Sequence, residues 1–333
     1  MVNVVSTFSG CGGSSLGYKR AGFDVKLALD FEENAVKTYQ MNFPDNTVWK
    51  ANIRDVTGDM ILKEIGIKKG ELDIFDGSPP CTPFSTSGIR EKGWNKEYVH
   101  GSETQSQRAD DLFFEYIRLV KELQPKSFVG ENVRGLIMGK SKGYFNEILR
   151  EMKALGYKVK VFDINAKDFE VPQSRPRIIY IGIRNDVFKS WQPLKTFPEI
   201  TFREATKDLV LPQNELDDSK KIVNCVKPYI SLLKQGESIS KYHPTGSFFS
   251  YGRTYNDRPI NTVLSGSHNS IMHPVERRWL TLSEIRRCSS FPDDFKFISI
   301  NDGFIRIGNS VPPNLIKHIA LYIQKCANFS QKD

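Results

Sequence analysis

Four short segments of this chain carry residues that could do chemistry. Gly77-Ser78-Pro79-Pro80-Cys81 follows an apolar run ending at Asp76. Its two prolines restrict the backbone, so Cys81 is presented at a strand end, where a thiolate could act as a nucleophile. Cys225, Cys288 and Cys326 lie on helical or apolar segments and read as buried structural cysteines. Glu131-Asn132-Val133 closes the apolar run Ser127-Phe128-Val129-Gly130, and a carboxyl group there suits proton transfer or an ion pair better than a core position. Gln173-Ser174-Arg175-Pro176-Arg177 puts two guanidinium groups two residues apart on one face entering a strand. That pattern fits anions or base edges, or simply a solvated face. Phe8-Ser9-Gly10-Cys11-Gly12-Gly13-Ser14 is a glycine-rich turn after the first strand, and Asp30 ends the second. A helix N-terminus with a carboxylate beside it suits an adenosine ribose. These residues alone admit a nicotinamide dinucleotide, S-adenosylmethionine or a ligand-free tight turn.

The elements that must hold these groups alternate along the first half. Apolar β-type runs cover residues 2–7, 25–30, 47–51, 72–76, 127–131, 158–164 and 177–183, and helical patterns cover 14–21, 32–42, 57–66, 110–123 and 144–155. The fold class expected is α/β, a doubly wound and mostly parallel sheet with ligands at the carboxyl ends of its strands. Residues 78–108 form a polar stretch far longer than an ordinary strand-to-helix connection, which marks a functional or disordered loop. Residues 187–270 lose the alternation and read as a small irregular domain. Regular structure returns with helices near 281–288 and 314–326, so 1–186 plus 271–333 form the main domain.

The 333 residues suffice for about two domains. With 39% hydrophobic and 26% charged residues the composition is that of a globular protein. No apolar run approaches the ~20 residues of a membrane span, and a charged n-region and secretory signal are lacking. A cytoplasmic protein without membrane attachment is expected. The five cysteines are scattered without zinc-ligand spacing, so neither disulfides nor a metal are expected. The net charge of +8 is uneven, +1 over residues 1–165 and +7 over 166–333. A basic second half suits a polyanionic partner, though a solvated face gives the same surplus.

Taken together the motifs resemble those of the C5-cytosine DNA methyltransferase family over nearly the whole chain. Phe8–Gly17 is similar to its first motif, Pro79-Pro80-Cys81 to its catalytic motif, Glu131-Asn132-Val133 to its acid motif and Gln173-x-Arg175-x-Arg177 to its arginine motif. Arg278-Trp279-Leu280-Thr281 with Glu284, Arg287 and Phe291-Pro292 resembles the segment supporting the recognition domain. Gly308-Asn309-Ser310-Val311-Pro312 resembles the last cofactor motif, and the order is the family's. Two positions depart: Thr82 stands where the family usually has Gln, and Asn52-Ile53 where it usually has Asp-Ile.

The resemblance implies a Rossmann-like fold that binds S-adenosylmethionine, releases S-adenosylhomocysteine and needs no metal. Phe8, Gly10, Gly12, Asp30, Phe31, Asn52, Ile53, Pro80, Leu112 and Asn309 would line the cofactor site, with Asp30 on the ribose, Asn52 at the adenine amino group and Asn309 at the methionine end. Cys81 would add to cytosine C6. Glu131 would hold the N3 edge and supply a proton, which calls for a raised pKa through burial. Arg177 would grip the base O2, and Arg175 would support it or take phosphate. Because the target atom is hidden in a duplex, the base must be flipped out. Ser85, Ser87 and Arg108 in the long loop match positions that meet DNA, and Arg253 and Arg258 are candidates for base readout in a recognition domain at 187–270. The partner implied is double-stranded DNA, with a separate restriction endonuclease in prospect and a monomeric enzyme.

A tRNA-directed relative would use the same chemistry, but its usual Cys-Phe-Thr signature is not found here. A catalytically silent DNA-binding relative conflicts with intact Cys81, Glu131, Arg177 and Asn309. A nicotinamide oxidoreductase leaves Pro-Pro-Cys and the arginine motif unexplained.

Overall fold

The computed structural model describes residues 1–80, 112–138 and 142–329, together with the backbone of two short strands between them. In chain order the elements are β1 (Asn3–Thr7), α1 (Gly13–Arg20), β2 (Asp24–Asp30), α2 (Glu33–Asn42), β3 (Thr47–Lys50), α3 (Gly58–Ile65), β4 (Ile74–Gly77), β5 (Glu97–Val99), β6 (Ser106–Arg108), α4 (Leu112–Leu123), β7 (Ser127–Val133), α5 (Lys142–Ala154), β8 (Tyr157–Asn165) and β9 (Pro176–Arg184). There follow α6 (Phe202–Thr206), α7 (Gln213–Ser219), α8 (Lys227–Ile230), β10 (Gly252–Arg253), β11 (Ile271–Met272), α9 (Leu282–Cys288), α10 (Ile300–Asn309) and α11 (Pro313–Cys326). No helix among the described residues is long and apolar enough to cross a membrane.

The chain packs as two compact units. The first comprises Met1–Ile164, Pro176–Lys195 and Ile316–Asp333, and the second Asn165–Arg175 and Thr196–Leu315. The second unit thus takes in the arginine-motif segment before Pro176 and most of the C-terminal segment, beyond the irregular stretch delimited from sequence.

The first unit is built on a seven-stranded sheet of order β3-β2-β1-β4-β7-β9-β8. The pairs β2–β3, β1–β2, β1–β4 and β4–β7 are parallel, as the alternation of strands and helices requires. β9 runs antiparallel to β7, since no crossover helix separates it from β8. Val4, Val5, Leu27, Ile74, Phe75, Phe128 and Val129 are almost fully buried, as sheets covered on both faces demand. Leu112, Tyr116, Leu119, Val120 and Leu123 bury the stripe of α4. The Tyr116 hydroxyl donates to the carbonyls of Phe75 (3.1 Å) and Val129 (2.8 Å), tying α4 to both central strands. The stretch read as one long loop carries an antiparallel strand pair, β5 with β6.

The second unit has its own small core of Val226, Ile230, Leu233, Ile239, Met272 and Trp279. α9 begins with a capping box between Thr281 and Glu284, and Arg278 reaches both carboxylate oxygens of buried Glu284 at 2.8 Å. α10, which the sequence reading passed over, is capped by Ser299 through the Asp302 amide.

Candidate active site

Strand register brings the candidate residues of the first unit to one edge. Thr7 lies opposite Leu29 and Gly77, Gly77 opposite Gly130, and Asp30 opposite Lys50. Phe8, Asp30, Asn52, Pro80 and Glu131 therefore all occur at or just past aligned strand ends, the edge where doubly wound sheets bind ligands. Antiparallel β9 starts at this same edge, pairing Val133 with Arg177 and Glu131 with Ile179. Glu131 and Arg177 are thus diagonal neighbours on one face. They form an ion pair of 2.7 Å from Oε1 to Nε, with side chains only 12% and 11% exposed. Burial pulls the Arg177 guanidinium below the ordinary arginine range, and Glu131 opposes that pull.

The segment leading to Cys81 is held from both sides. The Thr7 hydroxyl donates to the Asp76 carbonyl (3.0 Å), and Ser78 Oγ lies 3.5 Å from the Phe8 carbonyl. From β7, Asn132 Nδ2 donates to the Pro79 carbonyl at 3.4 Å. Cys81, Ser85 and Ser87 themselves lie outside the described residues. Arg108 falls on β6, where only the backbone is described.

The glycine-rich turn is shaped by its residues. Gly12 has φ 97°, a region that other residues rarely enter, and a Cβ there would lie 2.4 Å from the Phe43 ring. A Cβ on Gly10 would meet nothing within 4 Å, so that side of the turn is open. The Asp30 carboxylate accepts from Gly10 N–H (2.7 Å) and from Glu32 N–H (2.9 Å), fixing the turn to the end of β2. Asn52 Oδ1 accepts from Arg54 N–H at 3.1 Å and caps a short helical turn, while Ile53 and Leu112 are buried in the core. An open glycine turn, a carboxylate at the second strand end and partly buried Phe8 and Phe31 form a cradle that fits an adenosine-bearing cofactor.

The two arginines of the arginine motif serve different partners. Arg175 is 3% exposed and belongs to the second unit, donating to the carbonyls of Val263 and Gly308, both at 2.8 Å. A buried clamp on backbone carbonyls is a positioning role, not a phosphate contact. Gln173 joins it, donating to Ser289 Oγ (2.7 Å) and accepting from Val263 N–H (3.1 Å). Gly308, next to Asn309 at the end of α10, packs so closely that a Cβ would lie 2.3 Å from the Leu264 carbonyl carbon.

Arg253 donates to the carbonyls of Leu233 (3.0 Å) and His273 (2.9 Å), with Pro274 and Glu276 carbonyls also in reach. It holds the second unit's loops together. Arg258 is exposed and stacks over Tyr255 at 4.6 Å, with no hydrogen-bond partner for its guanidinium among the described residues. Cys225, expected to be buried, is exposed, while Cys288 and Cys326 are buried. Its segment enters the small core through Val226 and Ile230, and Cys225 stays outside it.

The sequence reading missed Asp76, Thr7 and the part played by Asn132 of the acid motif, which hold the segment leading to Cys81. Polar side chains on otherwise apolar strands were the available signal.

The chain belongs to the C-5 cytosine-specific DNA methylase family, whose profile matches residues 2–325. It is accordingly a DNA cytosine-5-methyltransferase. It is 32% identical over 341 residues to the Type II methyltransferase M1.HphI of Haemophilus parahaemolyticus, covering 96% of this chain and 86% of that protein. To the Type II methyltransferase M.NgoPII of Neisseria gonorrhoeae it is 30% identical, covering 97% of this chain and 96% of that one. Among solved structures it is similar to a prophage-encoded E. coli protein described as a DNA modification methyltransferase, with TM-score 0.75, 23% identity and coverage of 98% and 99%. It is also similar to the S. pombe Dnmt2 methyltransferase, with TM-score 0.67, 15% identity and coverage of 98% and 99%. At these identities the structural likeness is one of fold.

Proposed function

We propose that the enzyme transfers a methyl group from S-adenosylmethionine to C5 of a cytosine flipped out of a short specific duplex DNA site, through a covalent adduct between Cys81 and C6. The observation that carries this reading is the buried Glu131–Arg177 pair, set at the same strand edge from which Pro79 and Pro80 lead to Cys81.

Phe8, Gly10, Gly12, Asp30, Phe31, Asn52, Ile53, Pro80, Leu112 and Asn309 are the residues proposed to hold the cofactor, which supplies an electrophilic methyl group when bound. Cytosine C5 is a poor nucleophile, and addition of a thiolate at C6 raises its electron density. Cys81 supplies that thiolate. Glu131 holds the N3 and amino edge of the ring and gives N3 a proton as the thiolate adds. Arg177, already oriented by Glu131, grips O2 of the ring and stabilises the charge that develops there. Once the methyl group is on C5, water takes the C5 proton, the C5=C6 bond re-forms as the C6–S bond breaks and expels the Cys81 thiolate, and N3 returns its proton to Glu131, which restores the enzyme. The long loop after Cys81, with Ser85, Ser87 and Arg108, closes over the extruded base, and Thr82 alters a DNA-side contact of that loop.

Residues 187–270 are proposed to read the target, with phosphate contacts from the exposed lysines and base readout by Arg258. The names of the Type II relatives support membership of a restriction-modification system, with a separate endonuclease cutting the same site. The enzyme is proposed to act as a monomer in the cytoplasm. Incubation with duplex DNA carrying 5-fluorocytosine tests the central claim. A denaturation-resistant protein–DNA complex that needs both S-adenosylmethionine and Cys81 is expected, and its absence with the cognate site would overturn the covalent route.

A further inference from the structure

Asp76 is a buried carboxylate that the mechanism above leaves without a role. It is the penultimate residue of β4, five residues before Cys81, and is 4% exposed. Its Oδ2 accepts from the Ser6 hydroxyl of β1 at 2.9 Å, and its Oδ1 from the Tyr18 hydroxyl of α1 at 3.0 Å. Ser14, in the first turn of α1, is a third hydroxyl partner. The titratable groups facing it are Tyr18 from α1, Tyr116 from α4 and Glu131 from β7, and no cation pairs with it among the described residues.

One carboxylate therefore joins the helix that follows the glycine-rich turn to the strand that delivers the nucleophile. Ionised, it accepts a hydrogen bond from each hydroxyl. Protonated, it must donate one itself, and a hydroxyl that was its donor has to turn and find another acceptor.

We propose that Asp76 is a positioning residue whose negative charge fixes α1 against β4 and favours the cationic cofactor, so that S-adenosylmethionine binding releases a proton from Asp76. This rests on the cofactor assignment made above. S-adenosylmethionine carries a sulfonium charge that S-adenosylhomocysteine lacks, and a buried anion beneath the turn discriminates between them. Burial pushes Asp76 up to about 7, with Glu131 adding to the shift and the hydroxyl donors opposing it. The carboxyl group is thus partly protonated near neutrality, and by linkage a ligand that prefers the ionised form must displace the proton.

The test is calorimetric titration of the full chain with S-adenosylmethionine and with S-adenosylhomocysteine at pH about 7, in buffers of different ionisation enthalpy. The sulfonium makes the tail amino group of S-adenosylmethionine more acidic than that of S-adenosylhomocysteine, so the same titrations on Asp76→Asn serve as the blank that removes the ligand's own proton. Expected, after that blank, is a larger proton release with S-adenosylmethionine, and an affinity that rises several-fold from about pH 6 to about pH 8 in the wild type but not in Asp76→Asn. Tyr18→Phe, which removes one donor to the carboxylate, should move the midpoint of the affinity profile to higher pH. Equal proton release by the two ligands, a wild-type profile in Asp76→Asn, or an unmoved midpoint in Tyr18→Phe would each overturn the proposal. Failure of the wild type to bind either ligand would overturn the cofactor assignment along with it.

Discussion

Glu131 Oε1 lies 2.7 Å from Arg177 Nε, across two strands that run in opposite directions. The antiparallel step is what makes the pair possible. A parallel β9 would begin at the far edge of the sheet and carry Arg177 away from Glu131. The carboxylate and the guanidinium are already paired in the free chain, and under the proposed mechanism that removes reorganisation from the reaction itself.

Glu131→Gln should cut turnover by roughly 10²-fold or more, the range of a positioned acid–base group. The amide keeps the shape but cannot supply a proton, and it weakens the hold on Arg177. Single-turnover methylation across about pH 6 to 8 measures this, and a wild-type rate throughout would remove Glu131 from the proton path.

For Cys81→Ser the expected outcome is loss of methyl transfer with DNA and cofactor binding kept, since a hydroxyl is far less nucleophilic at neutral pH. Filter-bound methyl incorporation beside a gel-shift assay separates the two. Turnover within about tenfold of wild type would exclude the covalent route.

Asn52→Asp should tighten S-adenosylmethionine binding by several-fold, on the order of 1 kcal/mol for a charge-assisted hydrogen bond over a neutral one. The existing oxygen already caps Arg54 N–H, and a carboxylate offers a second one. Calorimetry showing equal or weaker binding would place Asn52 away from the adenine.

Arg258→Ala and Arg253→Ala should separate cleanly. Arg258, exposed and stacked on Tyr255, should lose about 1–3 kcal/mol on cognate DNA only. Arg253, engaged with loop carbonyls, should lower the melting temperature and weaken cognate and mismatched duplexes alike. If Arg258→Ala weakens every duplex equally and flattens the salt slope, it contacts phosphate instead.

Asp76 also sets a pH dependence of folding. Its carboxyl group is raised to about 7 in the native state from an ordinary 3.8, so the native state keeps a proton that the unfolded chain gives up. Stability is then full below about pH 4 and falls as pH rises through about 7. Asp76→Asn should remove this fall, gaining on the order of a few kcal/mol at about pH 8 and much less at about pH 4. Melting curves of both proteins at the two pH values check the sign.

What was legible in the sequence is what repeats locally or stands beside a strand end. The alternation of apolar runs placed β1, β2, β4 and β7, and the position of Glu131 after an apolar run anticipated its place at the sheet edge. Arg253 was opaque because its partners, the carbonyls of Leu233 and His273, lie 20 residues away on either side. No periodicity encodes that distance. Arg175 and Arg177 look equivalent in sequence, yet one clamps Val263 and Gly308 and the other pairs with Glu131. The short α6 was within reach of a closer reading, since Thr201 and Glu204 spell a capping box.

The clamp of Gln173, Ser174 and Arg175 on Thr262 and Val263 bears on how this enzyme could be re-targeted. A recognition segment transplanted with junctions at 187 and 270 would bring a foreign 262–264 strip against the host's own 173–175, and every one of those hydrogen bonds would have to be re-formed by chance. Grafts joined at about residue 200 and just before residue 260 leave the strip native, and under the recognition role proposed for 187–270 only they make that segment an interchangeable cassette. In natural recombination the same contacts should set where crossovers survive.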